Sequence, residues 1–164
     1  MVEMKVFGLA LDETAQVPVL VLKDMEDRQT LPIWIGAMEA MAISLALNEV
    51  HLPRPMTHDL LLNLTSGLGG VVSRVDVTRL DGGTYYAEIV VNMSGDERRI
   101  DSRPSDAVAL ALRAGCPIFV AQSILDEVSS EMKAGEGPVL TAEDSDKWRD
   151  ILEQFSEEEN KYKM

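Results

Sequence analysis

Positive charge is what this chain lacks most: 15 Lys and Arg stand against 28 Asp and Glu, leaving a formal net charge of −13. Proteins that hold nucleic acid by electrostatics alone carry a basic face, so generic binding of that kind is a poor fit. The acidity is uneven. Residues 126–164 carry twelve acids against five bases, so the preceding 125 residues are only moderately acidic and leave room for a local basic patch. Cysteine is nearly absent: Cys116 alone allows no internal disulfide, and a cytoplasmic location follows as the default. Its apolar neighbours and the following Pro117 mark it as a small buried hydrophobe rather than a nucleophile. No apolar run reaches the ~18–20 residues needed to span a bilayer, so no membrane association is expected. The first residues lack the basic-then-apolar pattern of a signal peptide. Phosphate-binding glycine loops, GxSxG elbows, HExxH pairs and paired-cysteine metal signatures are all missing, which argues against covalent catalysis and structural zinc.

What is present reads as one α+β domain over residues 1–132, followed by a linker and an acidic amphipathic helix over 133–164. Strands are predicted at 2–11, 17–24 and 30–35, joined by short polar turns in an antiparallel meander. Val17 to Leu22 is continuously apolar and should be covered on both faces. Gly36 opens a helix to about Val50 with almost no polar face, which should be buried, partly by another subunit. A second helix runs from Thr57, its expected N-cap, to about Ser66, with Leu60, Leu61 and Leu64 on its apolar stripe. Asp81-Gly82-Gly83 is a strong hairpin signal between strands 71–80 and 84–93. Val71, Val75 and Val77 should share a face with Tyr85, Ala87, Ile89 and Val91. Ser94-Gly95-Asp96 makes a second hairpin into a third strand, Glu97 to Asp101, which feeds a buried helix from Pro104, then a short strand at 118–120 and a helix at 123–131. The sheet is thus mostly antiparallel, built from hairpins and packed on buried helices. In the tail, Trp148, Ile151, Leu152 and Phe155 keep helical spacing.

Asp101-Ser102-Arg103-Pro104-Ser105-Asp106 packs two carboxylates, an arginine and two hydroxyls onto one corner, more chemistry than a helix cap requires. Pro104 stops the strand and starts the helix. Glu39 is the only charge in the first two turns of its helix, where it either complements the helix dipole or serves a polar function. Thr57 and Asp59 are explained by capping; His58 between them is not. Asp101 and Asp106 have local readings as a strand end and a first-turn acid, with Arg103 able to clamp either one or a phosphate. Arg98, Arg99 and Arg103 are the densest basic cluster, although strand alternation sends Arg98 and Arg99 to opposite faces.

Three motifs, Leu31-Pro32-Ile33-Trp34-Ile35-Gly36 with Glu39-Ala40, Arg54-Pro55-Met56-Thr57-His58-Asp59-Leu60, and Asp101-Ser102-Arg103-Pro104-Ser105-Asp106-Ala107, resemble the bifunctional nuclease family in their proper order. The resemblance covers roughly residues 2–130. It implies an α+β domain that self-associates as a homo-oligomer, DNase and RNase activity, and a divalent cation as helper. Carried onto this sequence, it marks Glu39, Thr57, His58, Asp59, Asp101, Arg103, Ser105 and Asp106.

Two hypotheses follow. In the first the chain is a metal-assisted nuclease acting on DNA or RNA. Asp59, Asp101 and Asp106, with Glu39 as a fourth, would hold Mg²⁺ or Mn²⁺, since hard cations prefer oxygen ligands. His58 would orient or deprotonate water, Arg103 would neutralise phosphate, and Thr57 and Ser105 would contact substrate. In the second it is a non-catalytic oligomeric module whose motifs serve capping and subunit contacts.

Overall fold

In the computed structural model, residues 1–133 are described, and they form four helices on a curled seven-stranded sheet. Strands β1 (Val2–Asp12), β2 (Val17–Asp24) and β3 (Thr30–Trp34) make one antiparallel meander. Helices α1 (Ala37–Leu47) and α2 (Thr57–Gly67) follow. A second meander comprises β4 (Gly70–Asp81), β5 (Thr84–Met93) and β6 (Asp96–Ser102), and the chain ends with α3 (Pro104–Ala114), β7 (Ile118–Val120) and α4 (Gln122–Lys133). The sheet order is β3-β2-β1-β7-β4-β5-β6. Three-residue β7 therefore stitches the two meanders together, antiparallel to β1 and parallel to β4. The expected acidic C-terminal helix and the linker before it lie outside the described residues.

β2 is buried along Pro18–Leu22, as its unbroken apolar run predicts. Leu20 and Leu22 join the main core with Leu31, Ile33, Val75, Val77, Val108, Val120 and Ile124, while Val19 and Val21 pack with Ala10 in a separate cluster. The Tyr85 hydroxyl donates to the Pro32 carbonyl at 3.4 Å, so β5 reaches β3 across a sheet that wraps its own core. Both predicted hairpin turns form. Gly82 and Gly83 have φ of 56° and 78° between the paired residues Asp81 and Thr84, the left-handed geometry that two-residue hairpin loops demand.

Strand β4 differs from its simple alternation. Register shifts between Val72 and Arg74 and between Val77 and Arg79 insert bulges, so Val72 instead of Val71 pairs with Val91, and Leu80 pairs with Tyr85. Val71 is consequently 66% exposed. Helix α1 stops at Leu47, short of Val50, where Asn48 turns its amide onto the Ser44 carbonyl and Glu49 takes φ 53°. Only Ala40, Ile43 and Ser44 of α1 are buried, so the described chain covers one side of it. In α2 the cap is Met56 and Thr57 is the first helical residue. Its leucines, read as a buried stripe, point outward: Leu60, Leu61 and Leu64 are all exposed, and His58 is the one buried residue of the helix.

Helix α3 is the axis of the helical layer. Pro104 fixes its start, Gly115 ends it at φ 65°, and every residue from Ala107 to Ala111 is buried. Its alanines let α1 and α2 approach closely, and α3 packs on both, as well as on β4 and β5. Cys116 follows, packed against both the main core and the Val72–Val91–Leu110 cluster, and burial raises its thiol pKa. That is the environment of an inert hydrophobe.

Candidate functional site

The three marked sequence motifs meet where the first turns of α1, α2 and α3 come together. Arg103, the extended residue capping α3, is the bridge. Its Nε donates to Asp106 Oδ2 at 2.6 Å and its NH1 to Glu39 Oε1 at 2.8 Å. The other Asp106 oxygen, Oδ1, lies 3.1 Å from His58 Nε2. One arginine, two carboxylates and one imidazole from three separate segments thus form a continuous chain. The Arg103 side chain is 64% exposed, while that of His58 is 11% exposed. The cluster therefore has a buried end at the imidazole and an open end at the guanidinium. Among the described residues no hydrogen bond engages the Arg103 NH2 group.

Each member is held by local structure. Glu39 folds back over the start of α1, and a Cβ on Gly36 would collide with its carboxylate. Glycine at that position keeps the space in which Glu39 meets Arg103. For Asp106 burial is the largest influence and favours the neutral acid. The hydrogen bonds from Arg103 and His58, with their charges, outweigh it and hold its pKa below the ordinary carboxylate value. The same pairing, first with Asp106 and then with Glu39, raises the pKa of Arg103. Asp106 is thus an ionised acceptor at neutral pH, and an acceptor requires a donor opposite it. His58 Nε2 is then the donor of that hydrogen bond.

Asp59 and Asp101 do not join this cluster. Asp59 Oδ2 accepts from the Met56 backbone N–H at 2.9 Å, and its Oδ1 accepts from Arg113 Nε at 2.8 Å. It works as the acidic N3 partner of a helix start, tied to α3 by a cation. Asp101 is exposed on β6 and pairs with Glu88, which in turn pairs with Asp76. That row lies on the sheet face opposite Val75, Ile89 and Ile100, hence away from the helices. There Arg74 and Arg99 neutralise Asp76, Glu88 and Glu97. Arg99 and Arg103 consequently serve different faces and form no single basic patch. Thr57 is exposed beside His58, and Ser105 is buried in the first turn of α3. Among the described residues no three His, Cys, Asp or Glu side chains group to hold a metal ion, so Asp59, Asp101 and Asp106 are not a preassembled ligand set. Also among them, no helix is long and apolar enough to cross a membrane.

A bifunctional nuclease domain model matches residues 20–133, which contain the whole cluster. The chain belongs to the bifunctional nuclease domain family. Over 163 residues, 97% of this chain and 98% of the other, it is 33% identical to an uncharacterized protein of Mycobacterium tuberculosis. It is 33% identical over 121 residues to bifunctional nuclease 1 of Oryza sativa subsp. japonica, covering 71% of this chain but 36% of the rice protein. With bifunctional nuclease 1 of Arabidopsis thaliana identity is 28% over 152 residues, 84% of this chain and 46% of that one. The chain thus spans less than half the length of these two plant relatives.

Arg113 is the residue of this site that motif reading missed. It lies outside the three motifs, and its only sequence signal is a basic residue in the last turn of a buried helix, which the helix dipole explains equally well. His58, for which capping gives no reason, is buried and bonds Asp106.

Proposed function

We propose that the chain is a nuclease that hydrolyses phosphodiester bonds of DNA, RNA or both at the Glu39–Arg103–Asp106–His58 cluster. The observation that carries the reading is the meeting of three helix N-termini at one partly exposed arginine. Helix N-termini present unpaired N–H groups and partial positive charge, the environment that a phosphate favours. Arg103 would take the phosphate through its NH2, and a bidentate shift toward substrate would loosen its hold on the carboxylates. His58, held by Asp106 through Nε2, would in its neutral form accept a proton at Nδ1 from the attacking water.

We further propose Mg²⁺ or Mn²⁺ as helper, with Glu39 and Asp106 as its protein ligands. Mg²⁺ is commonly held by one or two carboxylates with waters and substrate phosphates completing the shell, so two carboxylates released by one arginine fit its needs. Such an ion would neutralise a phosphate oxygen and acidify a bound water. The lone cysteine suits a cytoplasmic setting. A second reading, an oligomeric module without catalysis, draws on a specific feature: Leu60, Leu61, Leu64 and Leu68 leave α2 with an uncovered apolar face. Self-association through it is compatible with either reading.

The deciding assay is cleavage of single- and double-stranded DNA and RNA by the full chain with Mg²⁺, with Mn²⁺ and with chelator, for the native protein and Asp106→Ala. Metal-dependent cleavage lost in Asp106→Ala is the expected result. Activity surviving both chelator and substitution would reject the mechanism, and no cleavage of any substrate would leave the non-catalytic reading.

A further inference from the structure

We infer that Arg113 is a positioning residue for the His58–Asp106 pair, acting through Asp59. The inference rests on reading that pair as part of the reaction site. Arg113 closes α3 and is nearly buried, with a side chain 11% exposed. All three of its nitrogens are used. Nε donates to Asp59 Oδ1 at 2.8 Å, NH2 to the Ala42 carbonyl in α1 at 3.0 Å, and NH1 to the Ala109 carbonyl in its own helix at 2.8 Å. One side chain thus fixes together the three helices whose first turns supply Glu39, His58 and Asp106.

The lever is specific for His58. Asp106 and Arg113 are seven residues apart on α3, two turns or ~10.5 Å along its axis. Adjacent residues of α2 reach them: His58 binds Asp106, and Asp59 binds Arg113. The first turn of α2 is therefore pinned to α3 at two points, and with one released it is free to rotate about the other. The His58–Asp106 contact, at 3.1 Å, has little length to spare before it ceases to be a hydrogen bond. A lysine at 113 would keep the charge but lose the planar fork that serves three acceptors at once.

The chain has two histidines, which makes the test direct. His51 is exposed, bonds among the described residues only to the nearby Glu49 carbonyl, and serves as an internal reference. We expect the ¹⁵N signal of His58 Nε2 to leave its hydrogen-bonded position in Arg113→Lys and in Asp59→Asn, with His51 unmoved. Nuclease turnover in Arg113→Lys should fall about tenfold in kcat with KM changed less than about twofold, the pattern of misalignment rather than lost binding. Asp59→Asn retains an oxygen for the Met56 cap, so it separates the lever from helix capping. An unmoved His58 signal in both folded variants, with only a lower Tm, would make Arg113 a structural staple and overturn the inference. Should the native protein cleave nothing, the imidazole signal still decides the positioning claim, while the proposed function alone fails.

Discussion

Gly36→Ala isolates Glu39 without touching it. Gly36 has φ −76° and ψ 164°, a conformation any residue adopts, so the backbone imposes no penalty on alanine. The new methyl would instead occupy the space of the Glu39 carboxylate. That carboxylate is the far end of a flexible side chain, so it should swing out and release Arg103 NH1. The stability terms are small. Losing an ion pair to a largely exposed arginine costs about 0–1 kcal/mol, and alanine is a poorer cap than glycine by up to ~1 kcal/mol. Against these, a stiffer unfolded chain restores about 0.4–1 kcal/mol. The net change should stay near 1 kcal/mol or less, a Tm shift of roughly 2–4 °C. Cleavage should suffer far more, by about ten- to a hundredfold, because a displaced ligand or clamp misplaces the reacting groups. Thermal unfolding and cleavage rates measured over a series of Mn²⁺ concentrations test both halves. The metal requirement should rise in Gly36→Ala as it does in Glu39→Gln. Full activity at unchanged metal demand would remove Glu39 from the site. A Tm lower by more than about 8 °C would mean that the helix start yields instead of the side chain.

Two further outcomes are expected. The pKa of Asp106 is depressed on folding, so its bonds to Arg103 and His58 stabilise the fold fully above the ordinary value of 3.8, and this contribution disappears as pH falls through the lower folded value. The Tm difference between the native chain and Asp106→Asn should therefore be constant near neutrality and shrink below pH 4; a difference unchanged down to pH 2 would contradict the assignment. Leu60→Ser with Leu64→Ser should leave Tm within about 2 °C, since neither side chain is buried in the protomer, yet reduce the sedimentation coefficient of any oligomer built on α2. A native chain that sediments as a monomer at tens of micromolar would refute association through that face.

The parts of the fold legible in sequence were those whose signals are local. Hairpin turns at Gly82-Gly83 and Ser94-Gly95, the Pro104 start and Gly115 end of α3, and the doubly buried β2 all announce themselves in the backbone chemistry of a few residues. The bulges in β4 do not, because nothing in Val71-Val72-Ser73-Arg74 says which residue is the extra one; the register is settled by β5 and by Leu62 and Leu110 packing on Val72 and Val91. For the same reason α2 misleads. Its leucines keep helical spacing, but the face it buries is chosen by His58 reaching Asp106 and Asp59 reaching Arg113, two polar contacts across about fifty residues of sequence. Asp101 and Asp106 are neighbours in sequence. A strand followed by a helix separates them, since Asp101 takes the sheet face opposite the one on which α3 packs.

How an acidic protein would engage a polyanion turns on the local balance at the three helix starts. Glu39 and Asp106 bring two negative charges and Arg103 one positive charge, while each helix N-terminus contributes about half a positive charge. The point where they meet is therefore close to neutral, although the chain carries −13 overall. A near-neutral site neither repels a phosphodiester nor holds it strongly, and the acidic surroundings offer little long-range attraction at physiological salt, where charges are screened beyond about 8 Å. Affinity for nucleic acid without divalent cation should accordingly be weak and only shallowly dependent on monovalent salt, because few phosphates would be neutralised by side chains. A divalent ion at the two carboxylates would turn the same site clearly positive. On this balance the cation would govern the binding of substrate as well as its cleavage, and catalytically inactive variants that retain both Glu39 and Asp106, such as His58→Ala, should still bind nucleic acid more tightly when Mn²⁺ is added.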